Sequence, residues 1–318
     1  MGAADSKTNE YMSDNNRFAD LFNYYLYDGE QVIDPDNLRE LDPSAVALPY
    51  GDGAKSSDVI QKYRDVFKLL AAMEDDNAEY LLLGVEDQTH VHYAMPVKDM
   101  LYDAAQYAKQ IEQTAKINRA KSKDPLVSKP CSDEFLSGFY KEDKLHPVIT
   151  LVVYWSPDEW DGPLSIHEML STTDERILKH VPDYRINLIT PRGIDDKDFE
   201  KFRTSLAEAF QFIKYSKDKE KLAEVIAQDA DYEHLDRRTV EVINEVAKAG
   251  IQIPQGAEEV NMCIAIQEMQ KEAATKATDK TLLDSIRNLM DTLKLTAQQA
   301  MDALKISADD QKRFSQML

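Results

Sequence analysis

"YRDVFKLLAAMEDDNAEYLLLGVEDQ", residues 63–88, sets two apolar runs on either side of a short acidic turn. That is the pattern of a β-hairpin. The first run opens at Asp65 and the second closes on Glu86, Asp87 and Gln88, so carboxylates collect at the open end of a core strand pair. A turn at Asp75–Asp76 sets Asp65 opposite Glu86, and a turn at Asp76–Asn77 sets it opposite Gln88. Side chains alternate along a strand, so either register leaves Asp65, Glu86 and Gln88 on one face, at the rim of an apolar surface. Facing carboxylates repel, because directly opposed Cβ atoms sit only about 4.5–5.5 Å apart. A divalent cation offsets that repulsion. Two carboxylates, a backbone carbonyl and waters suit Mg²⁺, with Mn²⁺ as a substitute. The trio then has the Asp…Glu-x-Gln arrangement of a metal-assisted hydrolase. A plainer reading stands beside it, in which the acids mark a solvated strand end.

Outward from the hairpin, Phe18, Leu21, Phe22, Tyr25 and Leu26 fall at helical spacing behind a Ser13 or Asp14 N-cap. "AVALPY" (45–50) reads as a short strand and "GDGAKSSD" (51–58) as a loop. Residues 97–118 read as a helix with Val97, Leu101, Ala105 and Ala108 on one side. "HPVITLVVYWS" (146–156) is a nearly continuous β-branched run, as in a strand buried on both faces, and "DYRINLIT" (183–190) is another strand. Beyond residue 195 only helical patterns remain. The expected fold class is therefore α/β, a mixed sheet flanked by helices with an all-helical C-terminal extension. The expected divisions are a loose N-terminus at 1–13, an α/β domain at 14–230, a helical linker at 231–280 and a small helical element at 281–318.

The 318 residues carry a formal net charge of −20, which argues against a general polyanion binder and leaves a metal-neutralised cleft open. Two cysteines, Cys131 and Cys263, without CxxC spacing fit free thiols in a reducing, cytoplasmic setting. No apolar run reaches membrane-spanning length, so no membrane partner is expected. "MGAADS" fits the myristoylation pattern but lacks a polybasic companion. Residues 109–129 hold six basic residues against two acidic ones, among them Lys116, Arg119, Lys121 and Lys123. A flexible arm meeting a DNA backbone and a solvated linker are both open readings. Residues 281–318 suggest a helix-turn-helix with a Thr296–Gln299 capping box. Their charges cancel, which favours a helical cap or an oligomerisation element for a homo-oligomer over a DNA reader. Met262, Ile266 and Met269 form a packing stripe, and Trp155 and Trp160 pack between strand and helix.

The chain resembles the PD-(D/E)xK nuclease superfamily, and more narrowly the recombination-promoting nuclease/putative transposase family. "YRDVFKLLAAM", "LLLGVEDQ", "VHYAMPVKDMLYDAAQYA" and "FLSGFYKEDKLHPVITLVVYWSPDEWDGPLSIHEML" carry the likeness, which spans most of residues 7–275. It implies a restriction-endonuclease-like core of a helix, three strands, a helix and a strand, and a Mg²⁺-dependent DNA endonuclease linked to recombination. By that likeness Asp65 and Glu86 hold the metal with the backbone carbonyl of Asp87, and Gln88 stands where the superfamily more often has lysine. Asp20 is then an accessory metal contact, although the helical wheel puts it on a solvated face. Lys98 and Tyr102, one turn apart, are accessory candidates for meeting a phosphate. The alternative is a catalytically inactive DNA- or protein-binding member of the same fold.

Overall fold

Two β-rich runs joined by a polar turn can satisfy each other's backbone groups, and they do. In a computed structural model, which describes residues 3–40, 44–47, 60–63, 66–74, 77–124, 129–315 and 317, Val66–Glu74 and Asn77–Gln88 pair antiparallel. Pairing runs from Val66↔Val85 to Glu74↔Asn77, the register that turns at 75–76. Numbered along the chain, the helices are α1 (Ala3–Met12), α2 (Asn15–Tyr27), α3 (Met95–Lys121), α4 (Ser132–Ser137), α5 (Ile166–Met169), α6 (Glu175–Leu178), α7 (Leu206–Tyr215), α8 (Lys219–Gln228), α9 (Arg237–Ala247), α10 (Met262–Leu293), α11 (Ala297–Ala303) and α12 (Ala308–Ser315). The strands are β1 (Leu38–Glu40), β2 (Ser44–Ala47), β3 (Ile60–Tyr63), β4 (Val66–Glu74), β5 (Asn77–Gln88), β6 (Val148–Tyr154), β7 (Asn187–Ile189), β8 (Leu235–Asp236) and β9 (Glu259–Val260).

The main sheet has the order β1-β4-β5-β6-β7. Its β1–β4 and β4–β5 pairs are antiparallel, and β5–β6 and β6–β7 are parallel. A parallel neighbour cannot be reached by a hairpin, so α3 supplies the crossover from β5 to β6. Strands β2 and β3 form a separate two-stranded ladder, with β2 lying against α3. On one face of the sheet Leu83, Val85, Leu151, Val153 and Trp155 pack against Phe18 and Phe22 of α2 and Phe210 of α7. The other face lies under α3, with Val152 against Met95 and Ile186. Strand β6 is thus covered on both faces, as its nearly continuous apolar run requires.

Four expectations need correction. Residues 1–13 are not loose where described: α1 is helical, with Thr8, Tyr11 and Met12 buried. The Tyr11 ring meets Trp155 edge-on at 6.0 Å and its hydroxyl lies 3.0 Å from Thr239 Oγ1, so two side chains dock a helix that has no apolar stripe. Of the side of α3 expected to be apolar, Ala105 is buried but Val97 is 43% exposed, and Asp99, Tyr102, Asp103 and Gln106 turn inward as well. Strands do recur beyond residue 195, as the β8–β9 pair Leu235↔Val260 and Asp236↔Glu259. Finally, α10 runs unbroken past residue 280, so a division there falls within a helix.

Downstream of the sheet, Tyr232, Val240, Ile243 and Met262 build a second apolar cluster. Ile286, Ala300, Met301 and Phe314 build a third. The Thr296–Gln299 capping box forms reciprocally, opening α11 as its spacing implies. Met262 is buried and Ile266 packs against the second cluster; the Met269 side chain lies outside the described residues.

Candidate functional site

Strand alternation separates the three residues at the end of β5. Glu86 points to the α3 side, where the Lys98 Nζ donates to its carboxylate at 2.6 Å. Asp87 points to the opposite side, where its Oδ1 accepts the Trp155 indole N–H at 2.6 Å inside the core. Gln88 returns to the Glu86 face, and its amide Nε2 donates to the Asp87 carbonyl at 3.0 Å. That bond occupies the backbone oxygen expected to face a metal. Asp65, the other half of the expected pair, lies outside the described residues.

Glu86 is fully buried while the Lys98 side chain keeps 26% of its exposure. A carboxylate withdrawn from water needs a compensating charge, and here the Lys98 ammonium provides it from the first turns of α3. Lys98 also lies 5.6 Å from the ring centroid of buried Tyr102. Three residues singled out from the sequence, Glu86, Lys98 and Tyr102, therefore do meet. Lys98 directs its ammonium to the carboxylate while its side chain stays partly exposed.

Sequence reasoning missed the polar layer beside them. Asp103 accepts from Thr150 Oγ1 at 2.9 Å and from the Tyr184 hydroxyl at 2.7 Å, and the same hydroxyl lies 3.2 Å from Asp99 Oδ2. Burial and the two carboxylates push the Tyr184 phenol well above its ordinary range. The signal was present as Asp99, Tyr102, Asp103 and Gln106 at i, i+3, i+4 and i+7, one polar stripe of a helix that must cover a sheet.

Asp20 is neither solvated nor placed as a bystander. It is 2% exposed and accepts from the Arg203 N–H at 3.0 Å, the Thr204 N–H at 2.8 Å and the Thr204 hydroxyl at 2.6 Å. Burial still holds its carboxyl above the usual range, against those bonds. Both its oxygens serve the 203–204 turn.

The basic stretch is helical through Lys121, not a flexible arm. Asn118 explains why: its Nδ2 donates to the Gly138 carbonyl at 3.1 Å and to Asp143 at 2.7 Å, pinning the end of α3. Lys116, Arg119, Lys121 and Lys123 are all exposed, and Lys116 pairs with Glu112 at 2.8 Å on the surface.

A second acidic grouping lies elsewhere. Glu208 of α7 and Asp229 and Asp231 beyond α8 bring carboxylate oxygens within 4.8 Å of one another, the one such group of potential metal ligands among the described residues. They line a cavity of about 770 Å³ together with Arg203, Thr204 and Gln211. Burial first, then the charges of Asp229 and Asp231, push the Glu208 carboxyl up to about 7.

Fold and site together define a class: a mixed α/β protein whose central strand ends in a buried, lysine-paired glutamate. A family described as "Putative transposase, YhgA-like" matches residues 131–241, about a third of the chain, from the residue before α4 into α9. The matched segment holds Glu208, Asp229 and Asp231 and lies wholly downstream of Glu86 and Lys98. No curated protein and no solved structure matches the chain. Among the described residues, no helix is long and apolar enough to cross a membrane.

Proposed function

We propose that this chain is a Mg²⁺-dependent DNA endonuclease of the PD-(D/E)xK type acting in DNA recombination or transposition, with Mn²⁺ as a working substitute. The observation that carries the proposal is the fully buried Glu86 at the end of β5, held at 2.6 Å by a lysine that keeps access to solvent. The order α2, β1, β4, β5, α3, β6, with antiparallel pairs before the crossover and a parallel one after it, supports a restriction-endonuclease-like core. The transposase description of the family matching residues 131–241 supports DNA as the substrate.

The donor set fits a hard cation. Glu86 offers carboxylate oxygen, and Asp65, which the sequence sets opposite Glu86 when the turn falls at Asp75–Asp76, is taken as its partner. The Asp87 carbonyl joins them once the Gln88 amide turns away from it. A divalent ion bound there would neutralise and polarise the scissile phosphate. Lys98 supplies the ammonium that the superfamily more often carries at the position of Gln88: released from Glu86, it donates to a non-bridging phosphate oxygen and stabilises the charge that develops there. Gln88 donates a neutral hydrogen bond to the attacking water, and Tyr102 limits the directions open to the Lys98 stem.

Supercoiled plasmid incubated with Mg²⁺ or Mn²⁺ tests the reading. Wild type should nick it, and Asp65→Asn, Glu86→Gln and Lys98→Ala should each lose on the order of 100-fold or more in rate. Equal cleavage by wild type and Glu86→Gln would remove Glu86 from the chemistry. A non-catalytic DNA- or protein-binding role is favoured by one specific feature, the Gln88 amide committed to the Asp87 carbonyl. Wild-type protein that retards DNA yet leaves it intact across metals and salts would establish that role instead.

A further inference from the structure

Glu208 is 7% exposed, yet among the described residues no lysine, arginine or histidine forms an ion pair with it. The charges that act on it most are those of further acids, Asp229 and Asp231 first and then Asp20. A buried carboxylate in such company is costly unless a cation or proton joins it. Asp20 differs, since backbone and hydroxyl donors saturate it.

The placement of Glu208 follows from packing. The fully buried Tyr232 donates its hydroxyl to the Glu208 carbonyl at 2.9 Å, which draws the 229–234 turn against α7. Asp229 then caps that turn through the Asp231 N–H at 3.0 Å, leaving Asp231 exposed at the cavity mouth. Three carboxylate oxygens converge within 4.8 Å at the wall of a cavity of about 770 Å³. A hard divalent cation takes six or more oxygens at about 2.0–2.6 Å, so three monodentate carboxylates leave several positions for water, and the cavity has ample room for them.

We propose that Glu208, Asp229 and Asp231 form a site for a hard divalent cation, separate from the Glu86 site and facing the cavity between α7 and the 229–234 turn. The site bridges α7 to the segment after α8, so its occupancy links the sheet-bearing part of the chain to the second apolar cluster. All-oxygen ligation selects Mn²⁺, Mg²⁺ and Ca²⁺ over Zn²⁺.

Calorimetric titration of the full-length protein with Mn²⁺ and with Ca²⁺ is the test, with thermal melts in EDTA and in each ion. Wild type and Glu86→Gln should both take up a cation that Glu208→Gln binds at least about 30-fold more weakly. Because Glu86→Gln keeps this uptake, failure of the endonuclease reading and failure of this site give different results. In EDTA, Glu208→Gln should melt at or above the wild-type temperature, since a repulsive charge is gone, and in a Glu86→Gln background, where the other site is removed, Glu208→Gln should abolish the rise in midpoint that added cation gives. Asp231→Asn, at an exposed position, gives the same loss of uptake without touching the interior and decides the matter if Glu208→Gln does not fold. Equal titration by wild type and both variants, or a wild type whose melting no divalent ion shifts, would overturn the site.

Discussion

At the scale of single residues, the energetics turn on Glu86. Its carboxylate has left water entirely, and the Lys98 ammonium at 2.6 Å offsets part of that loss. Removing one partner of a buried pair strands the other, which costs about 3–5 kcal/mol when both are buried. Lys98 retains a quarter of its exposure, so Lys98→Met should cost nearer 2–3 kcal/mol by urea unfolding. Glu86→Gln combined with Lys98→Met removes both charges and should recover at least about 1 kcal/mol of that loss. Strictly additive costs would mean that the pair is not what balances Glu86. That Glu86 and Gln88 share a face was legible from alternation alone. The fate of Asp20 was not, because its donors lie 183 and 184 positions away and a helical wheel registers only near neighbours.

At the scale of elements, α1 and α3 show where periodicity fails. Neither presents an apolar stripe to its neighbours, and both dock through hydrogen-bonded polar side chains whose partners lie on distant elements. In α1 the anchor is Tyr11, against Trp155 on one side and Thr239 on the other. Burial drives its phenol up to about 12, against the pull of the Arg17 charge and the Ser205 and Thr239 hydroxyls. A raised folded value means that the unfolded chain releases this proton first, near pH 10. Its stabilising contribution is complete below that pH and is lost as pH rises toward 12. Tyr11→Phe should therefore flatten the alkaline limb of the stability curve by up to about 1.4 kcal/mol per pH unit. At pH 7 it should cost about 1 kcal/mol for the hydrogen bond to Thr239. Urea midpoints measured from pH 7 to 12 check both figures, and an unchanged alkaline limb would locate the titration in other tyrosines. The sheet elements were easier to read, because β6 carries a nearly continuous apolar run and the partners of β4 and β5 follow from the turn between them and from the crossover.

At the scale of the whole molecule, the Glu208 group was invisible to sequence reasoning because its members come from α7 and from the turn beyond α8. They come together only in the folded chain, where Phe212, Val225, Ile226 and Tyr232 pack in one cluster and the Tyr232 hydroxyl bonds the Glu208 carbonyl. The charge distribution poses a related question about DNA. A net charge of −20 repels a polyanion at long range, so contact has to be made by a local positive strip at short range. Lys116, Arg119 and Lys121 near the end of α3, with Lys123 just beyond it, are exposed and sit on a segment that Asn118 pins in place. The Lys116–Glu112 pair lies on the surface and is weak enough for a phosphate to displace. If all four basic groups meet phosphates, each contributes about 0.9 to the slope of log affinity against log salt. Replacing the four by alanine should reduce that slope by about 3–4 in fluorescence anisotropy between 50 and 200 mM salt. Affinity should fall most at the low-salt end, where the wild type gains most from counterion release. A variant with the wild-type slope would mean that DNA is held elsewhere, and the pinned end of α3 would then be a solvated surface.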